Sequence, residues 1–162
     1  MDELRAFYRR GIQTVGGGVV EIARLEVDGC KAIQTIFKVL QSSSIIYLGS
    51  LTLPFRDFSY AIKIQCTDQG ISGTRESIVL DTLLKSGVVT LNESGQVQGW
   101  AFDQHEQSKA GALAKNKSES DEYDAQFPNH PLSRVRHVLT DVQKTLKVRD
   151  DLKKEPEFKG RR

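Results

Sequence analysis

The fold is decided by residues 19–66, which read VVEIARLEVDGCKAIQTIFKVLQSSSIIYLGSLTLPFRDFSYAIKIQC. Apolar and polar residues alternate through most of this stretch, and a period of two is typical of strands that bury one face. The turn pair Asp28-Gly29 predicts a hairpin, and Pro54 ends a strand because proline cannot donate a hydrogen bond to a sheet. The predicted strands are residues 19–27, 31–40, 45–53 and 58–66.

The alternation assigns side chains to the two faces of this predicted ribbon. We expect helices to shield its apolar face, which leaves Gln34 and Lys38 on the opposite face of the second strand. In the fourth strand the apolar face ends at Cys66. The apolar sides of the second and fourth strands are Ile33, Thr35, Phe37 and Val39, and Phe58, Tyr60, Ile62, Ile64 and Cys66.

Residues outside the ribbon predict helices and two short strands. Apolar spacing indicates helices over residues 2–12 and 75–86, and a third helix that begins at Pro131. Residues 88–91 and 97–102 can form short strands. This order predicts an α+β fold, in which an antiparallel sheet of about five to six strands carries packed helices.

The chain is predicted to form one domain over residues 1–150. Within it, residues 104–122 predict a long mobile loop, because Leu113 is their only large apolar side chain. Residues 151–162 predict a frayed basic tail.

Composition excludes some classes of protein. The chain is 38% hydrophobic and 27% charged, which is typical of folded proteins and not of disordered ones. It holds no run of about 18 apolar residues, so we expect no membrane-spanning helix. The net charge is +2, and residues 133–162 carry 10 basic against 5 acidic groups. That excess usually marks a solvated helix face, and weak nucleic-acid binding through the basic C-terminal helix is the alternative.

Cys30 and Cys66 are the only cysteines, and they predict reduced thiols in a cytoplasmic protein. In an antiparallel meander they lie at opposite ends of the sheet, whereas a disulfide needs Cα atoms within about 7 Å. Residues 1–5 lack the apolar segment of a secretory signal, although a leader removed before residue 1 stays compatible with the sequence.

The sequence shows no specific catalytic pattern. Gly16-Gly17-Gly18 precedes a strand, whereas a phosphate-binding loop follows one, and no GxSxG motif is present. Asp103, His105 and His130 could together bind zinc in a metal-dependent hydrolase. Unconnected surface histidines are the simpler interpretation, so we predict no catalytic residue, cofactor or metal ligand.

The most distinctive segment is the turn that contains Phe55, Arg56 and Phe58. Arginine flanked by aromatic residues is common at the energetic centre of protein interfaces, whereas the alternative is a plain exposed turn. Trp100, on the last short strand, is the fourth candidate contact residue. We therefore predict a non-enzymatic protein that binds another protein, as an adaptor or an immunity protein does.

Two stretches carry a family resemblance. The segment LGSLTLPFRDFSY at 48–60, with FPNHPLS at 127–133, resembles a family of small uncharacterised bacterial proteins. The likeness covers most of residues 19–139 and implies no catalytic assignment. The chain is also loosely similar to PsbP-like α/β sandwiches. That similarity implies partner binding without a catalytic centre.

Overall fold

The computed structural model describes residues 2–42, 44–68, 73–102, 113–156 and 158. Its helices and strands follow the predicted order. They are α1 (Asp2–Gln13), β1 (Gly18–Val27), β2 (Cys30–Gln41), β3 (Ser44–Pro54), β4 (Ser59–Thr67), α2 (Thr74–Lys85), β5 (Thr90–Leu91), β6 (Val97–Gln98), α3 (Pro131–Thr145) and α4 (Asp150–Lys153).

Strands β1 to β4 form an antiparallel meander in sequence order. Val27 pairs with Cys30 across Asp28 and Gly29, whose φ values of 49° and 82° fit a type I′ turn. The predicted hairpin and antiparallel sheet are therefore confirmed. A single sheet of five to six strands is not confirmed, because β5 and β6 pair with each other in a separate two-stranded sheet.

One face of the four-stranded sheet packs against α3. Gly49 lets the helix approach closely, since a Cβ at this position would lie 2.6 Å from Cγ1 of Val135. The buried core on this face comprises Val20, Val27, Cys30, Ala32, Ile36, Tyr47, Leu51, Leu53, Phe55, Cys66, Leu132, Val135 and Leu139.

The expectation that Gln34 and Lys38 lie opposite the shielded face is wrong. Both side chains are buried on the α3 side, in line with Ile36 on β2. Gln34 donates to Glu21 at 2.7 Å and accepts a hydrogen bond from Gln143 of α3. A buried polar group is tolerated when hydrogen bonds replace its water, and both residues have such partners.

The second face of the sheet is partly covered by α1. Leu4, Tyr8 and Ile12 recur at helical spacing and are half-buried, and the ring of Tyr8 lies 5.8 Å from that of Phe37. Ile22 is buried on this side. The apolar stripe predicted for β2 is thus real, but it belongs to the less deeply covered face.

Part of the predicted mobile loop is folded. Residues 103–112 lie outside the described residues, but Lys117–Glu119 and Asp121–Tyr123 form short 3₁₀ helices. Asn116 caps the first of them, and Ser118 and Glu119 are fully buried. Polar side chains anchor this segment where apolar ones are scarce.

The start of the predicted frayed tail also packs on the protein. Helix α4 places Leu152 against the core and Lys153 Nζ 2.9 Å from Asp28. Asp28 also accepts a hydrogen bond of 2.8 Å from the backbone N–H of Val148. The β1–β2 turn therefore fixes the segment that follows α3.

Cys30 and Cys66 are buried free thiols at opposite ends of the sheet. None of the described helices combines the length and the hydrophobicity that a bilayer-spanning helix requires.

Candidate functional site

A group of buried charged side chains lies at the end of the sheet where β2 meets β3. Lys38 and Glu119 form an ion pair of 2.7 Å there, with 1% and 0% of their side chains exposed. The ammonium of Lys38 donates to both oxygens of Glu119 and to the carbonyl of Ala114. These three acceptors use all three of its hydrogens.

Glu119 is similarly saturated. It accepts hydrogen bonds from the Tyr47 hydroxyl and from the backbone N–H of Asn116, each at 2.9 Å. Burial, followed by the negative charge of Glu119, raises the pKa of Tyr47 well above its ordinary value. Tyr47 therefore stays a protonated donor throughout the neutral range.

Arg75 extends this network from the start of α2. Its buried guanidinium donates to the carbonyls of Ser118 and Ser120, at 2.6 and 2.7 Å, and to Asp124 at 2.9 Å. Arg136 of α3 reaches the same Asp124. We call Lys38, Tyr47, Arg75, Glu119 and Asp124 the ionic cluster. Its bonds hold residues 116–124 between the sheet, α2 and α3.

His130 lies beside the ionic cluster, with its ring 5.5 Å from that of Tyr47. Its Nδ1 accepts the N–H of Leu132 and so caps α3, while its Nε2 lies 3.5 Å from Glu76. Burial is the largest influence and alone would raise the pKa of Glu76, but the interaction with His130, a backbone hydrogen bond and the charge of Arg75 together outweigh it, so the pKa falls below its ordinary value. Both nitrogens of His130 thus face protein atoms.

The proposed zinc ligands are only partly described. Asp103 and His105 lie outside the described residues, and His130 has the two contacts given above. Among the residues that the structure describes, no three His, Cys, Asp or Glu side chains are grouped to hold a metal ion. The zinc hypothesis gains no support from this part of the chain.

The opposite end of the sheet carries an aromatic group at the β3–β4 turn. The backbone N–H of Phe55 donates to the carbonyl of Phe58 at 2.9 Å, which closes the turn. The Phe58 ring lies 5.0 Å from Phe55 and 5.6 Å from Tyr60. Phe55 is 7% exposed, whereas Phe58 and Tyr60 are 41% and 54% exposed. Phe55 therefore supports two aromatic side chains that face solvent.

Arg56 lies beside these rings and is largely exposed. Its guanidinium binds Asp57 through hydrogen bonds of 2.9 to 3.2 Å, and its backbone N–H donates to the carbonyl of Pro156. Its charge is thus partly balanced by its neighbour, and its backbone joins the turn to the segment after α4.

Trp100 is not part of this aromatic group. It is half-buried, and its carbonyl accepts the N–H of Lys117, two residues before Glu119. Tyr47, which binds Glu119, lies eight residues from Phe55 along β3, or about 26 Å at the usual strand rise. The structure therefore brings together Phe55, Arg56 and Phe58 and places Trp100 at the far end of the sheet.

The outer edge of β4 was not a sequence-based candidate. Among the described residues, β4 pairs only with β3, in unbroken register from Ser59 to Thr67. It contains one charged residue, Lys63, and no proline. The sequence alone shows that β4 carries few charges, but its position at the edge of the sheet depends on the order of the strands.

The other edge strand, β1, is different. Its register shifts between Val19 and Glu21, which indicates a bulge, and α1 packs against it. It also carries the charged side chains Glu21, Arg24 and Glu26. Bulges, charges and covering helices are the usual means by which proteins prevent edge strands from pairing. β1 has a bulge and three charged side chains, whereas β4 has an unbroken register and a single charge.

No family model, curated protein or solved structure matches this chain.

Proposed function

We propose that this chain is a non-enzymatic protein-binding module, which accepts a strand of its partner along the outer edge of β4. The observation that carries the proposal is the unbroken nine-residue β4 edge beside the exposed rings of Phe58 and Tyr60. An added strand gains main-chain hydrogen bonds along the edge, and neighbouring side-chain contacts select the partner.

The aromatic end of β4 supplies the anchor that such a contact needs. Tyrosine and arginine are enriched among residues that dominate binding energy. Tyr60 and Phe58 are exposed at the edge, Arg56 is adjacent, and the buried ring of Phe55 holds Phe58 in place. Trp100 lies outside this surface.

The ionic cluster supports the non-enzymatic part of the proposal. Its charged groups are hydrogen-bonded to one another and to backbone carbonyls, so they serve to fix residues 116–124. Burial closes Lys38 and Glu119 to solvent. A substrate would have to break these bonds to reach them.

Several more specific interpretations of the sequence stay predictions. The cytoplasmic location, the resemblance to the family with the LGSLTLPFRDFSY segment and the PsbP-like sandwich stay predictions. So do the alternatives of a metal-dependent hydrolase and a nucleic-acid binder. For the latter, Arg136 is already engaged with Glu21 and Asp124, which reduces the basic face of α3.

Site-specific photo-cross-linking tests the proposal. The photoreactive residue p-benzoylphenylalanine replaces the exposed Ala61 of β4 or, as a matched control, the exposed Glu26 of β1. We expect irradiation of the source cells to give a discrete cross-linked species from position 61 and none from position 26. Tyr60→Ser should remove that species. Equal yields from both edges, or none from position 61, would contradict the proposal.

A further inference from the structure

We infer that the partner strand is β4 of a second copy of this chain, paired antiparallel about a two-fold axis at Ile62. This inference rests on the proposed function of the β4 edge and names its partner. In such a pairing, the numbers of two residues that face each other always add up to the same value, which is twice the number of the residue on the axis. The possible self-pairings of β4 can therefore be compared one by one.

The two faces of β4 restrict these pairings. Tyr60, Ile62 and Ile64 lie opposite Leu53, Leu51 and Gly49 of β3, so they are on the α3 side of the sheet. The other side carries small or polar side chains, namely Ser59, Ala61, Lys63, Gln65 and Thr67. Side chains of directly paired residues project from the same face. If the two-fold axis passes through one residue of β4, the apolar side chains of one copy therefore lie beside the apolar side chains of the other. If the axis passes between two residues, apolar side chains of one copy lie opposite polar side chains of the other.

Lys63 disfavours the pairing with the greatest overlap. An axis at Lys63 would match all of Ser59–Thr67, but Lys63 would then lie opposite Lys63 of the partner subunit. Like charges directly across a strand pair are destabilising.

An axis at Ile62 removes this conflict and still pairs residues 59–65. Ile62 then lies opposite the partner's Ile62, and Tyr60 lies opposite the partner's Ile64. On the other face, Lys63 lies opposite the partner's Ala61. Tyr60, which is half-exposed in the single chain, is thus covered by an apolar side chain.

An axis at Ile64 would pair an equally long stretch, residues 61–67, but it would leave the exposed ring of Tyr60 outside the paired stretch. An axis at Ala61 would pair only residues 59–63. The register at Ile62 is therefore the longest that covers Tyr60 and separates the two lysines. It joins two four-stranded sheets into one continuous sheet with both α3 helices on the same face.

Charge substitutions at Ala61 test both the partner and the register. In this register position 61 faces the partner's Lys63, and symmetry repeats the contact. Analytical ultracentrifugation of the full chain over a concentration series should show a monomer–dimer equilibrium. Ala61→Lys should raise the dimer dissociation constant about 2- to 30-fold, and Ala61→Glu should lower it by a similar factor. Both effects should diminish at high salt because these positions are exposed.

Gln65→Lys is the matched control, since it adds the same charge to the same face of β4. In this register position 65 lies opposite the partner's Ser59, so the dissociation constant should not change. A chain that stays monomeric up to millimolar concentration would overturn the inference. So would shifts in the same direction for both Ala61 variants, or weakening by Gln65→Lys alone. A monomer that still cross-links from position 61 to a different protein would leave the proposed function standing.

Discussion

The ionic cluster and the β4 edge differ in where their hydrogen-bonding groups find partners. In the cluster, Lys38 and Glu119 are saturated by groups of the same chain. Along β4, the backbone groups that point away from β3 have no strand beside them among the described residues. The buried charged residues thus hold residues 116–124 in place, whereas the β4 edge that we propose as the binding surface has no neighbouring strand on its outer side among the described residues.

The largest expected effect comes from breaking the ionic cluster. Glu119→Ala leaves the ammonium of Lys38 buried without a counter-charge, and removing one partner of a buried pair costs about 3–5 kcal/mol. We expect this loss in the free energy of unfolding, measured by urea denaturation. The double variant Lys38→Met with Glu119→Gln removes both charges and should recover much of the loss. A loss below about 1 kcal/mol for Glu119→Ala would show that the cluster does not stabilise the fold.

Two tyrosines provide an intermediate and closely matched comparison. Tyr47→Phe removes a buried hydroxyl that donates to a carboxylate, and such a bond contributes about 1.5–3 kcal/mol. Tyr60→Phe removes the same atoms from an exposed ring and should change the free energy of unfolding by less than about 0.5 kcal/mol. Thermal or urea unfolding of both variants measures the difference. Equal costs would contradict the contrast between the two regions.

The smallest expected effect concerns pH. The pKa of Glu76 is lower in the folded protein than its ordinary value of 4.5, so its contribution to stability is complete above that value. The contribution is lost as the pH falls from about 4.5 through the folded pKa, because protonation then favours the unfolded chain. Glu76→Gln should make the dependence of unfolding free energy on pH shallower in this acidic window. Denaturation curves at pH 3 to 7 check this, and an unchanged slope would show that the folded protein does not lower the pKa of Glu76.

The contrast between these regions also explains what the sequence could predict. Alternation and the Asp28-Gly29 pair predict the strands and their antiparallel order, because both depend on neighbouring residues. The burial of Lys38 depends on Glu119, which lies 81 positions away in a segment with few apolar residues. No local pattern reveals that pair. The sequence predicts that Phe58 and Arg56 lie at an exposed turn, but the position of β4 at the edge of the described sheet follows only from the strand order.

Trp100 illustrates the same limit. From the sequence alone, Trp100 near the end of a short strand is compatible with a place in the contact surface. Its position is set by the bridge between Ala101 and Asn116, which ties it to the segment that contains Glu119. Long-range pairing thus decided which candidate residues share a surface.

The most direct test of the central claim measures cross-linking from position 61 in folded Tyr47→Phe and Tyr60→Ser proteins side by side. If the ionic cluster is structural and the β4 edge binds, Tyr47→Phe should lower stability and keep the cross-linking yield of the wild type. Tyr60→Ser should keep stability and lose most of the yield. A yield that is lost in folded Tyr47→Phe protein, or preserved in Tyr60→Ser, would contradict the assignment of binding to β4.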